Sequence, residues 1–274
     1  MSKNKSHSPH RKIARYGWTP DLPDQRDHLY AAPLPKLGPL PAKVDLRKLC
    51  PKVYDQGQIG SCTANAIAGA IEFDLNNQKL KSFTPSRLFI YFNERSMEHS
   101  VATDSGAQIR DGVKSVNQLG VCPETEWTYD ATPADPNTSV WPAGAKPAQK
   151  PTPACYQDAL NHQVTSYQRV NRDLAQMKGC LAAGYPFVFG FTVYDAFESG
   201  VVAKTGVLNM PTSAEQVVGG HAVLCVGYDD AAQRFIVRNS WGAKWGQKGY
   251  FTMPYAYMIT RGLASDFWTI RVVE

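Results

Sequence analysis

The chain has 274 residues, 43% hydrophobic and 19% charged, a composition that excludes a disordered or collagen-like polypeptide and allows a sizeable core. Its 29 basic and 24 acidic residues give a formal charge of +5, but Lys3, Lys5, Arg11, Lys12 and Arg15 carry that excess, and the remaining 24 and 24 balance. The folded body therefore lacks the basic excess a nucleic-acid binder uses, and no apolar run is long enough to span a bilayer.

Residues 1–41 contain Pro9, Pro20, Pro23, Pro33, Pro35, Pro39 and Pro41 with little apolar periodicity. This predicts a basic, proline-rich arm that does not fold alone, followed by one folded domain over residues 42–274. The polar start has no apolar core of a secretory signal, so the cytoplasm is the default location, with export by another route left open.

From Ser61, the stretch SCTANAIAGAIEFDLNNQ is apolar nearly all round, as a helix buried on most sides would be, with Ser61 at the N-cap position. Cys62 then sits at a helix N-terminus. A second helix is predicted to open at Thr84-Pro85, cap then proline, and to carry Leu88, Phe89, Tyr91 and Phe92. A third presents Ile109, Val113 and Val116 on one face and stops at Gly120. These helices make up a lobe over about residues 55–130. Residues 131–154, rich in proline and alanine, read as a long surface connection.

The second half, about residues 155–272, changes character. A strand at 163–170 and a short helix near 172–183 precede the runs YPFVFGFTVY, HAVLCVGY, RFIVRN, GYFTM and DFWTIRVV, each bounded by Gly, Asp or Asn. Helices first and strands later predict an α+β fold with segregated lobes.

The six cysteines, Cys50, Cys62, Cys122, Cys155, Cys180 and Cys225, are scattered, with no CxxC and no histidine pair at ligand spacing. No metal or organic cofactor is expected. Without a secretory signal most thiols are expected reduced, though a Cys122–Cys155 bridge stays open. Asn137-Thr138-Ser139 fits a glycosylation pattern that has no meaning without export.

One cysteine stands apart. A thiol at a helix N-terminus feels the positive end of the peptide dipoles, which favours thiolate. A nucleophilic thiolate needs a base, a group orienting that base, and donors for the oxyanion formed on attack at a carbonyl. His221 alone among the histidines is embedded in an apolar strand, GGHAVLCVGY, where Gly219 and Gly220 permit another backbone to approach closely.

The segments DQGQIGSCTANA, GHAVLCVGY and RNSWGAKWGQKGYF, in that order, resemble the papain-like (C1) cysteine peptidases, from about Val44 to Val272. The resemblance implies a two-lobe fold, helices on one side and an antiparallel β-barrel-like lobe on the other, with the active site in the cleft between them. It implies an endopeptidase: Cys62 as nucleophile, His221 as its proton partner, Asn239 orienting the imidazole, Gln56 and the Cys62 backbone N–H as oxyanion hole, and Trp241 shielding the His–Asn hydrogen bond. Ser105 and Gly106 would bond an extended substrate backbone. Gly219, Ala222 and one of Ser265 or Asp266 would line a side-chain pocket, apolar with Ser265 or accepting arginine with Asp266.

The chain departs from the pattern in two places. Ile59 replaces the cysteine usual three residues before the nucleophile, and Asp104-Ser105-Gly106-Ala107 replaces Cys-Asn-Gly-Gly, so that disulfide is absent. The usual long helical prosegment is missing, and GWTPDLPDQRD looks like a bacterial branch with a short arm, which is expected to lie across the cleft and restrain activity as an inhibitor in cis. A monomer acting on protein or peptide substrates, with no nucleic acid required, is implied. Two other classes remain: acyl transfer or deamidation, which the NSWGxxWG context disfavours, and an inactive binding module, which an intact Cys62, His221 and Asn239 disfavour.

Overall fold

A computed structural model describes residue 13 and residues 15–273 of the chain; the basic tail through Lys12 lies outside the described residues. Eight helices occur among the described residues: α1 (Leu34–Leu37), α2 (Cys62–Asn77), α3 (Arg87–Met97), α4 (Ile109–Leu119), α5 (Pro153–Ala159), α6 (Leu174–Ala182), α7 (Gly200–Thr205) and α8 (Tyr255–Ile259). Eight strands share one sheet: β1 (Leu29–Tyr30), β2 (Lys43–Asp45), β3 (Val164–Val170), β4 (Phe187–Tyr194), β5 (Val217–Asp229), β6 (Arg234–Arg238), β7 (Tyr250–Pro254) and β8 (Ala264–Val273).

The strands run in the order β1-β3-β8-β4-β5-β6-β7, with β2 pairing β5 beside this path. Among the described residues β1 and β7 do not meet, so the barrel-like expectation is corrected to an open sheet. The arm is also more than a wrap, since its β1 adds a parallel strand to β3.

α2 is the hub of the helical half. Its apolar side chains face α3 and α4 on one side and β5 and β8 on the other, so even small residues such as Ala64, Ala68 and Gly69 are buried. Ser61 holds the N-cap position without capping; its hydroxyl pairs with Tyr129 Oη at 2.7 Å. α3 begins two residues later than predicted, because Ser86 accepts from the Phe89 N–H and so caps it, whereas Pro85 bridges to Pro123. α4 stops where the sequence places its end, at Gly120, whose φ of 69° suits glycine and where a Cβ would strike the Ala159 carbonyl.

Residues 131–154 are not purely a surface connection. Trp141 and Ala145 are buried in the same cluster as α2, and α5 opens at Pro153 on a Thr152 cap. Prolines break the periodicity there, but the apolar side chains between them still pack. A second cluster, rich in Phe and Trp, fills the sheet half around Phe187, Phe189, Phe191, Phe197 and Trp245. No helix among the described residues is long and apolar enough to cross a membrane.

Candidate active site

The N-terminus of α2 points at the middle of β5. Cys62 is its first residue, so the Cys62 N–H has no partner within the helix. β4 and β5 pair with Phe191 opposite His221 and Gly190 opposite Ala222. The thiol of Cys62 lies within hydrogen-bond reach of the Ala222 N–H, which places it beside His221.

His221 Nε2 is 2.8 Å from Asn239 Oδ1, at the loop after β6. The Ser240 N–H donates to the same oxygen at 2.8 Å, which fixes the amide with Oδ1 as the acceptor. His221 Nε2 therefore carries the proton of that contact, and Nδ1 is the nitrogen left to serve a sulfur. Trp241 stacks on the imidazole, centroids 5.3 Å apart, and Trp245 meets Trp241 edge-on, so the His–Asn bond lies under aromatic rings.

Gln56 is buried beside them. Ser240 Oγ donates to its Oε1 at 2.6 Å, and its Nε2 donates to the Ile59 carbonyl at 3.0 Å, so the amide is oriented with N–H groups toward the Cys62 loop. Tyr129 Oη holds the Gln56 carbonyl at 2.9 Å and also contacts Ser61. Behind Tyr129 lies the buried Arg87 guanidinium, 3.8 Å from the ring centre and paired with Glu124 at 2.7 Å.

Several residues that the motifs do not reveal complete this scaffold. Asp104, in the position of the missing cysteine, accepts the Gly60 N–H on both oxygens at 3.0 Å and the Tyr91 hydroxyl. A hydrogen bond thus joins the two loops that a disulfide would join. The only sequence signal was Asp104 replacing that cysteine beside Ser105-Gly106.

The cleft is occupied by the chain itself. Residues 16–19 pass between the two halves: Ala107 N–H donates to the Gly17 carbonyl at 2.7 Å, Thr19 N–H to the Ala107 carbonyl at 3.1 Å, and Trp18 N–H to the Gly220 carbonyl at 3.0 Å. The pairing strip is therefore Ala107, one residue beyond the expected Gly106, whose N–H is turned to Tyr91 Oη. Gly106 still matters, because a Cβ there would strike Gly17. Ser105 is spent on Ser100 and does not face the segment.

Gly219 packs on the Tyr16 ring, and the Trp18 indole lies against Gly190 and Gly220, where a Cβ would overlap it. Trp18 Nε1 donates to Asp266 Oδ2 at 3.2 Å; of the Ser265–Asp266 pair, it is Asp266 that reaches this pocket. Asp266 also accepts from the Asp21 N–H and from Arg169, each at 2.9 Å. Ala222 is wholly buried, with its N–H toward the sulfur.

Covered this way, Cys62 does not behave as a free helix-terminal thiol. Burial pushes it up to about 12, against the N–H groups of Ala222, Gly17 and Thr63, which pull it down. The site can supply a thiol, an imidazole, an amide bonded to that imidazole, and N–H groups from Gln56 and the Cys62 backbone.

The sequence profile described as papain family cysteine protease matches residues 40–267. The crystal structure of xylellain, a cysteine protease from Xylella fastidiosa, is 50% identical, with a TM-score of 0.90 over 96% of this chain and 98% of that one. A peptidase C1-like protein of Acanthamoeba polyphaga mimivirus is 45% identical over 84% of this chain and 74% of its own length. Cathepsin B-like CP3 of Giardia intestinalis is 31% identical over 73% of this chain and 63% of its own length.

Replacing Asp104 with alanine strands the Gly60 N–H and the Tyr91 hydroxyl, and is expected to lower stability by about 2 kcal/mol. Urea unfolding measures this, and Asp104→Asn, which keeps one acceptor, should lose less.

Proposed function

The chain belongs to the papain family of cysteine proteases, a family of hydrolases, and on that premise we propose that it is an endopeptidase acting through Cys62 and His221. The observation that carries this reading is the 2.8 Å contact from His221 Nε2 to Asn239 Oδ1, in a ring adjoining the sulfur at the start of α2. Cys62 gives its proton to His221 Nδ1 and its sulfur attacks the carbonyl carbon of a peptide bond. The resulting oxyanion is held by the Cys62 N–H and Gln56 Nε2. His221 then protonates the leaving amine, and water, deprotonated by the same ring, resolves the thioester. An internal stretch of chain, residues 16–19, already passes through the cleft and continues beyond it, which suits cleavage within a polypeptide rather than at its end.

The same stretch supports a second element of the proposal: residues 1–41 act as an inhibitor in cis. The Gly17 N–H lies toward the Cys62 sulfur and its carbonyl accepts from the Ala107 N–H at 2.7 Å, so the arm occupies the place over the sulfur that a substrate backbone would need. Trp18 fills the side-chain pocket, and Asp21 fastens the next turn by accepting from the Arg110 N–H at 3.0 Å, in the first turn of α4, and from Trp268 Nε1 at 2.8 Å. A substrate displacing Trp18 would place a large, largely apolar side chain there, with Asp266 available to a donor at its tip.

Trp18→Ala empties the pocket and should raise kcat/KM for peptide substrates at least tenfold, by KM more than by kcat; an unchanged rate sinks the inhibitory reading. Acid should tighten the latch. Burial and the Asp266 charge raise the Asp21 carboxyl from 3.8 to about 6, so the arm-bound state holds its proton more firmly than the released one. This contribution is complete below 3.8 and is lost as pH rises through about 6. The rate of the natural chain, divided by that of Trp18→Ala at each pH, should therefore climb across that window and stay flatter in Asp21→Asn.

A further inference from the structure

Cys122 and Cys155 meet far from the cleft. Cys122 follows the end of α4, its carbonyl tied to the Ser86 N–H at 2.9 Å, and Cys155 lies in the first turn of α5 with its N–H on the Thr152 cap. The two sulfurs and a carboxylate oxygen of Glu126 all lie within 4.8 Å of one another, with the cysteines 0% and 2% exposed. The Cys155 thiol has a weak acceptor, the Glu126 carbonyl at 3.9 Å, and its sulfur accepts from the Thr152 hydroxyl at 3.1 Å. Burial and the neighbouring Cys155 sulfur push the Cys122 thiol well above its ordinary value. A disulfide removes both S–H groups from this dry contact without adding charge, whereas a metal would need two thiolates there.

We propose that Cys122 and Cys155 form a disulfide that closes the loop between α4 and α5. The loop carries Tyr129, which braces Ser61 and Gln56, and also Trp127 and Trp141, which pack in the helical core. Its bridge therefore staples the support of the cleft from outside it. The oxidant is a small disulfide such as oxidised glutathione, and the bridge forms during folding, while the sulfurs are accessible. One thiolate attacks glutathione disulfide and releases one glutathione thiol. The second cysteine then attacks the mixed disulfide and releases the other, so two protein thiols become one S–S bond as one glutathione disulfide becomes two thiols.

The test uses the full chain with Cys62→Ala, which leaves five of the six cysteines. The protein is refolded in a glutathione redox buffer, trapped with N-ethylmaleimide in denaturant, and weighed intact. Three adducts are expected, with peptide mapping joining residues 122 and 155. Cys122→Ser and Cys155→Ser should each abolish that linkage, and the oxidised protein should unfold at higher urea than the reduced protein. Five adducts, a bridge mapped to another pair, or an unchanged urea midpoint would each overturn the proposal. So would one equivalent of zinc on the purified protein that Cys155→Ser removes, because the cluster with Glu126 would then be a metal site.

Discussion

The abutment of the α2 N-terminus on the middle of β5 is the contact on which the site depends. A helix carries an unpaired N–H at its first residue, and a strand carries side chains at fixed register. Setting one against the other brings the Cys62 sulfur to the Ala222 N–H, and so to His221 one residue before. Burial of α2 on nearly every side holds that alignment rigid, since small residues such as Ala64, Ala68 and Gly69 let α3, β5 and β8 approach it closely.

Around this contact, polar groups take over work that covalent bonds could do. Asp104 ties the Cys62 loop to the strip along the cleft, and Tyr129 with Arg87 and Glu124 holds the same loop from behind. A carboxylate accepting two N–H or O–H groups in a buried position is strong when satisfied and costly when broken. The same economy runs the arm. α4 has no side-chain cap of its own at Gln108, and the Asp21 carboxylate supplies an acceptor for its first turn from 89 residues away. Asp27 extends the fastening: burial would raise its carboxyl, but hydrogen bonds from Arg110 and Arg169 hold it below its ordinary value.

Much of this was legible in the sequence because it is local. The periodicity of α4 and its Gly120 stop, the all-round apolar pattern of α2, and the apolar run around His221 each follow from neighbours within a few residues. The motif order brought Cys62, His221, Asn239 and Gln56 to one region, and the structure does place them together. What escaped was nonlocal. Ser86 outcompetes Thr84 as a cap because its hydroxyl also donates to the Trp127 carbonyl at 2.7 Å. Trp141 is buried despite a proline-broken setting, and Ala107 displaces Gly106 as the pairing strip because Tyr91 claims the Gly106 N–H. The ease of ionisation expected of a helix-terminal thiol is reversed by burial in the covered cleft, whose backbone bonds to residues 17–19 no local pattern shows.

The central claim is that burial beneath the arm keeps the proposed nucleophile neutral, against the pull of the neighbouring N–H groups. The pH dependence of iodoacetamide modification at Cys62, followed by intact mass and peptide mapping, tests it most directly. The account predicts that in the natural chain the rate keeps rising into the alkaline range, in keeping with a thiol held near 12, whereas Trp18→Ala/Asp21→Ala reacts fast and reaches its plateau far lower. Identical profiles for the two proteins would contradict it.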